Sequence, residues 1–124
     1  MSKFNLKVKI SISDENFKGF FGIGIVWLLE NIEQTGSIRK AAQNLGMSYS
    51  KAHKILTRVE EKFGKKLLEK TRGGIQRGGS QLTPFAKEFI IVYKEFQQNI
   101  KDFANKEFEK KILNYLLNFN NFEK

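Results

Sequence analysis

The stretch SIRKAAQNLGMSYSKAHKILTRVEEKFG, residues 37–64, decides the fold. Ser37 is a hydroxyl residue just ahead of Ile38, Ala41, Ala42 and Leu45, whose spacing lines one face of a short helix. Gly46 ends that helix at the position where the backbone turns left-handed. Ser48 then caps a second helix, in which Ala52, Ile55, Leu56, Val59 and Phe63 form one apolar stripe and Gly64 is the stop. Two helices joined by Leu45-Gly46-Met47-Ser48 make a helix-turn-helix: Gly46 supplies the positive φ of the tight turn, and Ala41 and Ala42 are small enough for close packing. The face opposite the stripe carries Ser50, Lys54 and Thr57, flanked by Lys51, His53 and Arg58. Hydroxyls, an imidazole and cations on one helix suit the base edges and phosphates of a major groove, which is wide enough for one helix. The expected nucleic-acid contacts are Ser37, Arg39, Ser48, Tyr49, Ser50, Lys51, His53, Lys54, Thr57 and Arg58, with Ser48 and the helix N-terminus on phosphate.

Upstream, Phe4, Leu6, Val8, Ile10 and Ile12 alternate with Asn5, Lys7, Lys9 and Ser11, the period of a strand with one buried face over 4–13. Asp14-Glu15-Asn16 is a turn, and Phe20-Phe21 a short return strand ended by Gly22-Ile23-Gly24. Ile25 to Gln34 has helical spacing, broadened by Val26 and Trp27, so this helix is expected to be covered on more than one side, with Trp27 in the core. Downstream, Lys66 to Thr71 and Gln81-Leu82-Thr83 are short strands around RGGIQRGGS, residues 72–80. That glycine-rich loop has three readings: a β-hairpin wing whose Arg72 and Arg77 reach DNA, a phosphate cradle, or a loop without a role. The cradle lacks the GxxxxGK[ST] pattern, and a wing follows naturally after a helix-turn-helix. Thr83-Pro84 opens a long helix. Phe85, Phe89, Val92, Phe96, Ile100 and Phe103 recur at steps of three and four, the mark of a seam between helices, and are expected to join two copies of the chain. Near Asn105 the phase slips by one residue, so a kink or break is expected there. Phe108, Ile112, Tyr115, Phe119 and Phe122 then carry a second seam.

The chain has 124 residues and no cysteine, which excludes a disulfide framework and thiolate metal sites. One histidine without an HExxH-type spacing gives no zinc site, and His53 has no carboxylate or nucleophile at the spacing a general base needs. No enzyme, metal or cofactor is expected. There is no signal-peptide pattern and no apolar run of membrane-spanning length, so the expected location is the cytoplasm, with no membrane contact. Net charge is +9. Residues 37–77 hold eleven Lys/Arg against three Asp/Glu, while the rest of the chain holds eleven against ten. The excess is local, as a nucleic-acid footprint requires.

The run LLENIEQTGSIRKAAQNLGMSYSKA, followed by TRGGIQRGGSQLT, resembles the DNA-binding domain of ModE-type molybdate-responsive regulators, relatives of the LysR-type winged helices. The shared features are Gly22 and Gly24 before the first helix, Thr35 to Ile38, Ala41-Ala42, Leu45 to Tyr49, and a loop of Gly73, Gly74, Gly78 and Gly79 ending in Leu82-Thr83. The resemblance covers about residues 4–104. It implies a transcription factor that dimerises through its N-terminal strand region and long C-terminal helix. His53 stands where the family usually has Trp, which bears on base preference. The molybdate-binding domains of the full-length sensors have no counterpart before Lys124, so no oxyanion sensing is assigned and any effector is unknown.

The expected architecture is α+β, mainly α: a winged helix-turn-helix with N-terminal strand, glycine-rich wing and long C-terminal helix. Residues 1–104 would form the DNA-binding domain with its dimerisation helix, and 105–124 a helical tail. The expected function is a homodimeric, sequence-specific regulator of transcription on an inverted repeat in duplex DNA. The rival readings are a sequence-neutral architectural DNA binder and a winged-helix protein-interaction module.

Overall fold

The computed structural model describes residues 3–71 and 79–122, with side chains as far as Phe119. In chain order the elements are β1 (Ile12–Ser13), β2 (Gly19–Phe21), α1 (Ile23–Thr35), α2 (Ile38–Asn44), α3 (Tyr49–Phe63), β3 (Leu68–Lys70), β4 (Ser80–Leu82) and α4 (Pro84–Glu107). A π-helical segment, Phe108–Leu113, and α5 (Asn114–Phe122) follow. The chain divides into two compact units, Ile10–Ile91 and a second made of the described residues up to Lys9 and from Val92 onward.

In the first unit β1 and β2 form a small antiparallel hairpin with an irregularity at Ile12/Ser13. The strand expected over 4–13 is shorter than its alternation suggested. A strand extends only as far as its partner, and β2 offers three residues before α1 begins. Phe4 is 58% exposed, so the outer part of the alternating face is not buried. Asp14 builds the turn: its carboxylate accepts the N–H groups of Asn16 (2.9 Å) and Lys18 (3.0 Å). The Phe17 N–H donates to the Asp14 carbonyl at 2.9 Å.

Val26, Leu28, Leu29 and Ile32 bury one arc of α1. Trp27 is not core: it is 53% exposed. At about 100° per residue, position 27 falls roughly opposite the centre of the buried arc, so its apolar character did not decide its side. Helices α1, α2 and α3 pack around Ala41, Ala42, Ala52, Leu56 and Val59, all buried. Behind α3 lies an aromatic cluster. Phe63 meets Phe20 (5.4 Å between centroids), Phe21 (5.8 Å), Phe85 (6.3 Å) and Phe89 (4.9 Å). Offset and edge-on rings of this kind add about 0.5–1.5 kcal/mol per pair to simple burial. Phe85 and Phe89, which the heptad spacing placed in an interchain seam, are thus half-buried members of their own unit's cluster.

Strands β3 and β4 pair antiparallel with Leu68 opposite Leu82, Glu69 opposite Gln81 and Lys70 opposite Ser80. The Ser80 N–H donates to the Gly36 carbonyl at 2.9 Å, tying the hairpin to the corner between α1 and α2. Thr83 closes its base: the hydroxyl donates to the Lys66 carbonyl (2.8 Å) and accepts the Ala86 N–H (3.2 Å). Thr83 is therefore the cap of α4, with Pro84 at the first helical position, where its missing N–H costs nothing.

In the second unit Tyr93 and Gln97 are buried, whereas Val92, Phe96, Ile100 and Phe103 are exposed. No break occurs near Asn105: the chain stays helical, and the phase slip is taken up by the π-helical segment. An i→i+5 turn holds one residue more than an α turn, which is what a one-residue slip in the apolar pattern requires. No described helix is long and apolar enough to cross a membrane.

Candidate nucleic-acid interface

The corner between α2 and α3 is a full Schellman closure. The Met47 N–H donates to the Ala42 carbonyl (3.0 Å) and the Gly46 N–H to the Gln43 carbonyl (3.1 Å). Gly46 sits at φ +70°, a left-handed geometry that costs a side-chain-bearing residue about 1–2 kcal/mol. On either side the two serines act as the spacing indicated. Ser37 Oγ accepts the Lys40 N–H and Ser48 Oγ the Lys51 N–H, each at 3.1 Å. Each hydroxyl keeps its own proton to donate. Asn44 Nδ2 donates to Asn31 Oδ1 (3.1 Å), bracing α2 against α1.

With Ala52, Leu56 and Val59 inward, α3 turns Ser48, Tyr49, Ser50, Lys51, His53 and Lys54 to solvent. These six share the exposed front of the helix and its N-terminus. Arg39, from α2, joins them: its guanidinium lies over the Tyr49 ring, 4.6 Å from the centroid. The Tyr49 ring in turn lies 5.9 Å from the His53 ring. Arg39, Tyr49 and His53 thus form a ladder across the α2–α3 corner. Thr57 is half-buried beside Glu60, toward the hairpin. Arg58 stands apart, 3.8 Å from the Asp14 carboxylate, which Lys62 also approaches at 3.4 Å. The N–H groups of Lys18 and Asn16, and Lys62 beside them, hold the Asp14 carboxyl below its ordinary value. Arg58 is therefore shared between any external anion and the β1–β2 turn.

Arg72 and Arg77 lie outside the described residues, as does most of the glycine-rich loop. The hairpin leading into it, with Thr71 N–H donating to the Gly79 carbonyl at 3.1 Å, is present. A recess between α3 and this hairpin is lined by Glu60 and Glu69 as well as Lys66 and Lys70, a mixture that favours neither sign of ligand. No group of three or more metal-ligating side chains occurs among the described residues. Two features escaped the residue pattern: the stacking of Arg39 on Tyr49, and the recruitment of Arg58 and Lys62 by Asp14. The first joins neighbouring helices and was open to inference from the turn. The second joins segments with no common periodicity.

Residues 27–87 match the family model of the bacterial regulatory helix-turn-helix proteins of the LysR family. The molybdenum transport protein ModE of Herbaspirillum seropedicae is 38% identical over 80 residues, which cover 64% of this chain and 30% of that protein. The transcriptional regulator ModE of Haemophilus influenzae is 38% identical over 68 residues, 55% of this chain and 27% of that protein. The chain thus spans less than a third of the length of these relatives. Among solved structures, the CbnR DNA-binding domain in complex with DNA superposes with a TM-score of 0.53 at 16% identity, covering 70% of this chain and 94% of that one. The BenM DNA-binding domain with catB site 1 DNA gives 0.52 at 20% identity, covering 73% and 94%. These likenesses establish a winged-helix fold. Residues 27–87 are a LysR-type helix-turn-helix domain, and the chain is similar in sequence to part of ModE.

Proposed function

We propose that this chain is a transcription regulator that reads duplex DNA with α3 and acts as a homodimer in the bacterial cytoplasm. The observation that carries the reading is the front of α3. An apolar stripe anchors the helix, a Schellman turn and two capped N-termini fix its entry, and Tyr49, Ser50, Lys51, His53 and Lys54 are left exposed on one surface. Such a surface fits a major groove, with Lys and Ser donors for base edges and phosphates. The N-terminus of α3, with Ser48, is placed for a phosphate. One matching relative, the Haemophilus influenzae ModE, is named a transcriptional regulator, and the neighbouring structures are complexes with DNA. Arg72 and Arg77, outside the described residues, are proposed to add contacts to phosphate or the minor groove.

Val92, Phe96, Ile100 and Phe103, exposed at heptad-like spacing on α4, support the dimer reading. A twofold pair of recognition helices would read an inverted repeat with half-sites about 34 Å apart, or a multiple of that. No effector, cofactor or catalytic group is assigned.

The test is Lys54→Ala, read by fluorescence anisotropy on a selected duplex and on random DNA. A base contact predicts a loss of about 1–3 kcal/mol on the selected duplex and a much smaller one on random DNA. Equal losses on both would remove Lys54 from the base-reading set.

A further inference from the structure

The π-helical segment Phe108–Leu113 sits between two apolar patterns that an unbroken α-helix would place on different faces. From Phe103 to Tyr115 is twelve residues, which at 3.6 per turn leaves Tyr115 about 120° away from Phe103. The π turn absorbs one residue, so Tyr115 stands as though eleven residues on, three turns, about 20° away. Phe119 follows at about 60° by the same count, the angle at which Ile100 already lies from Phe103. Leu117 falls about 140° away, off this face. We infer that the π turn is a register-correcting element that joins Tyr115 and Phe119 to Val92, Phe96, Ile100 and Phe103 in one seam, and that a second copy of this chain covers it.

Exposed area argues for that occupant. Val92, Phe96, Ile100 and Phe103 are 41–67% exposed and offer roughly 450 Å² of apolar side chain, given aromatic areas of about 150–250 Å² each. A stable protein pair buries about 800 Å² on each partner. The first seam alone falls well short of this. Tyr115, 64% exposed, and Phe119, 47% exposed, raise the total to roughly 700 Å², close to what a dimer needs. Tyr115 and Phe119 already stack, with ring centroids 6.2 Å apart, which presents them as one surface. Between the two apolar groups stand Glu107, one turn beyond Phe103, and Lys111. They pair with each other at 3.1 Å, so the seam is interrupted by a neutralised pair rather than a lone charge.

This inference rests on the homodimer reading, and sedimentation equilibrium of the full chain separates the two. The wild-type chain is expected to be a dimer. Tyr115→Asp with Phe119→Asp should weaken dimerisation at least tenfold, whereas Leu117→Asp should change it less than about twofold. Deleting Glu109 removes the extra residue, leaving a plain α-helix with the same face alignment, and should keep the dimer within about twofold. Circular dichroism of each variant confirms retained helix. A dimer weakened by Phe96→Asp but indifferent to the Tyr115/Phe119 pair would overturn the extension alone, as would equal losses at Leu117. Tenfold weakening on deletion of Glu109 would overturn the register argument. A wild-type chain monomeric into the high-micromolar range would overturn the homodimer and this inference together.

Discussion

The same substitution at two glycines is expected to change stability in opposite directions. Gly24, in the first turn of α1, and Gly46, at the α2–α3 corner, both have open space where a Cβ would stand, with no atom within 4 Å. Packing is therefore silent at both, and the backbone decides. Gly24 is helical, and alanine there gains roughly 0.5–1 kcal/mol by restricting the unfolded chain and favouring helix. Gly46 has φ +70°. Alanine there pays about 1–2 kcal/mol for the left-handed geometry, against roughly 0.4–1 kcal/mol recovered from the unfolded state. The net is a loss of about 1 kcal/mol, and the two variants should differ by roughly 1.5–2 kcal/mol. Urea titration by circular dichroism measures this directly. With m near 1–3 kcal/mol/M, the two midpoints should stand about 1 M apart, on opposite sides of the wild type and with unchanged slopes. Midpoints shifted in the same direction would refute the reasoning, because neither site offers another physical difference to explain them.

Three further expectations follow from the geometry. Phe63→Ala removes the hub of the five-ring cluster and, for a half-buried ring, should cost about 2–3 kcal/mol in the same titration, less than a fully buried Phe. The lowered Asp14 carboxyl makes stability depend on acid. Its contribution is present above the unfolded value of about 3.9 and is lost as pH falls through the lower folded value, so the gap in melting temperature between wild type and Asp14→Asn should close below that pH. Arg39→Lys keeps the charge but loses the planar stack on Tyr49, so it should retain affinity for random DNA while the ratio of specific to random affinity falls about two- to fivefold. An unchanged ratio would make Arg39 a plain phosphate cation.

The helix-turn-helix was legible because every signal in residues 37–64 is local: two serine caps, two glycine stops and apolar spacing that no other element contradicts. The hairpin base and the Thr83-Pro84 start of α4 were legible for the same reason. What failed depended on partners. The long N-terminal strand had the right alternation but only three residues of β2 to pair with. Trp27 is apolar, yet the angle it occupies on α1 faces away from the core. Phe85 and Phe89 fit a heptad and also pack against Phe63, a contact from another helix that spacing along α4 does not reveal. The slip near Asn105 was visible as a phase error; that a π turn would absorb it without breaking the helix was not, since either solution satisfies the same residue spacing.

The central claim, that α3 reads base sequence as one of a symmetric pair, is tested most directly by selecting bound duplexes from a random library at about 150 mM salt, where weak phosphate contacts are screened. Enrichment of an inverted repeat with half-sites about 34 Å apart, or a multiple of that distance, is expected. Retention of DNA without any enriched sequence, or no retention at that salt, would contradict it.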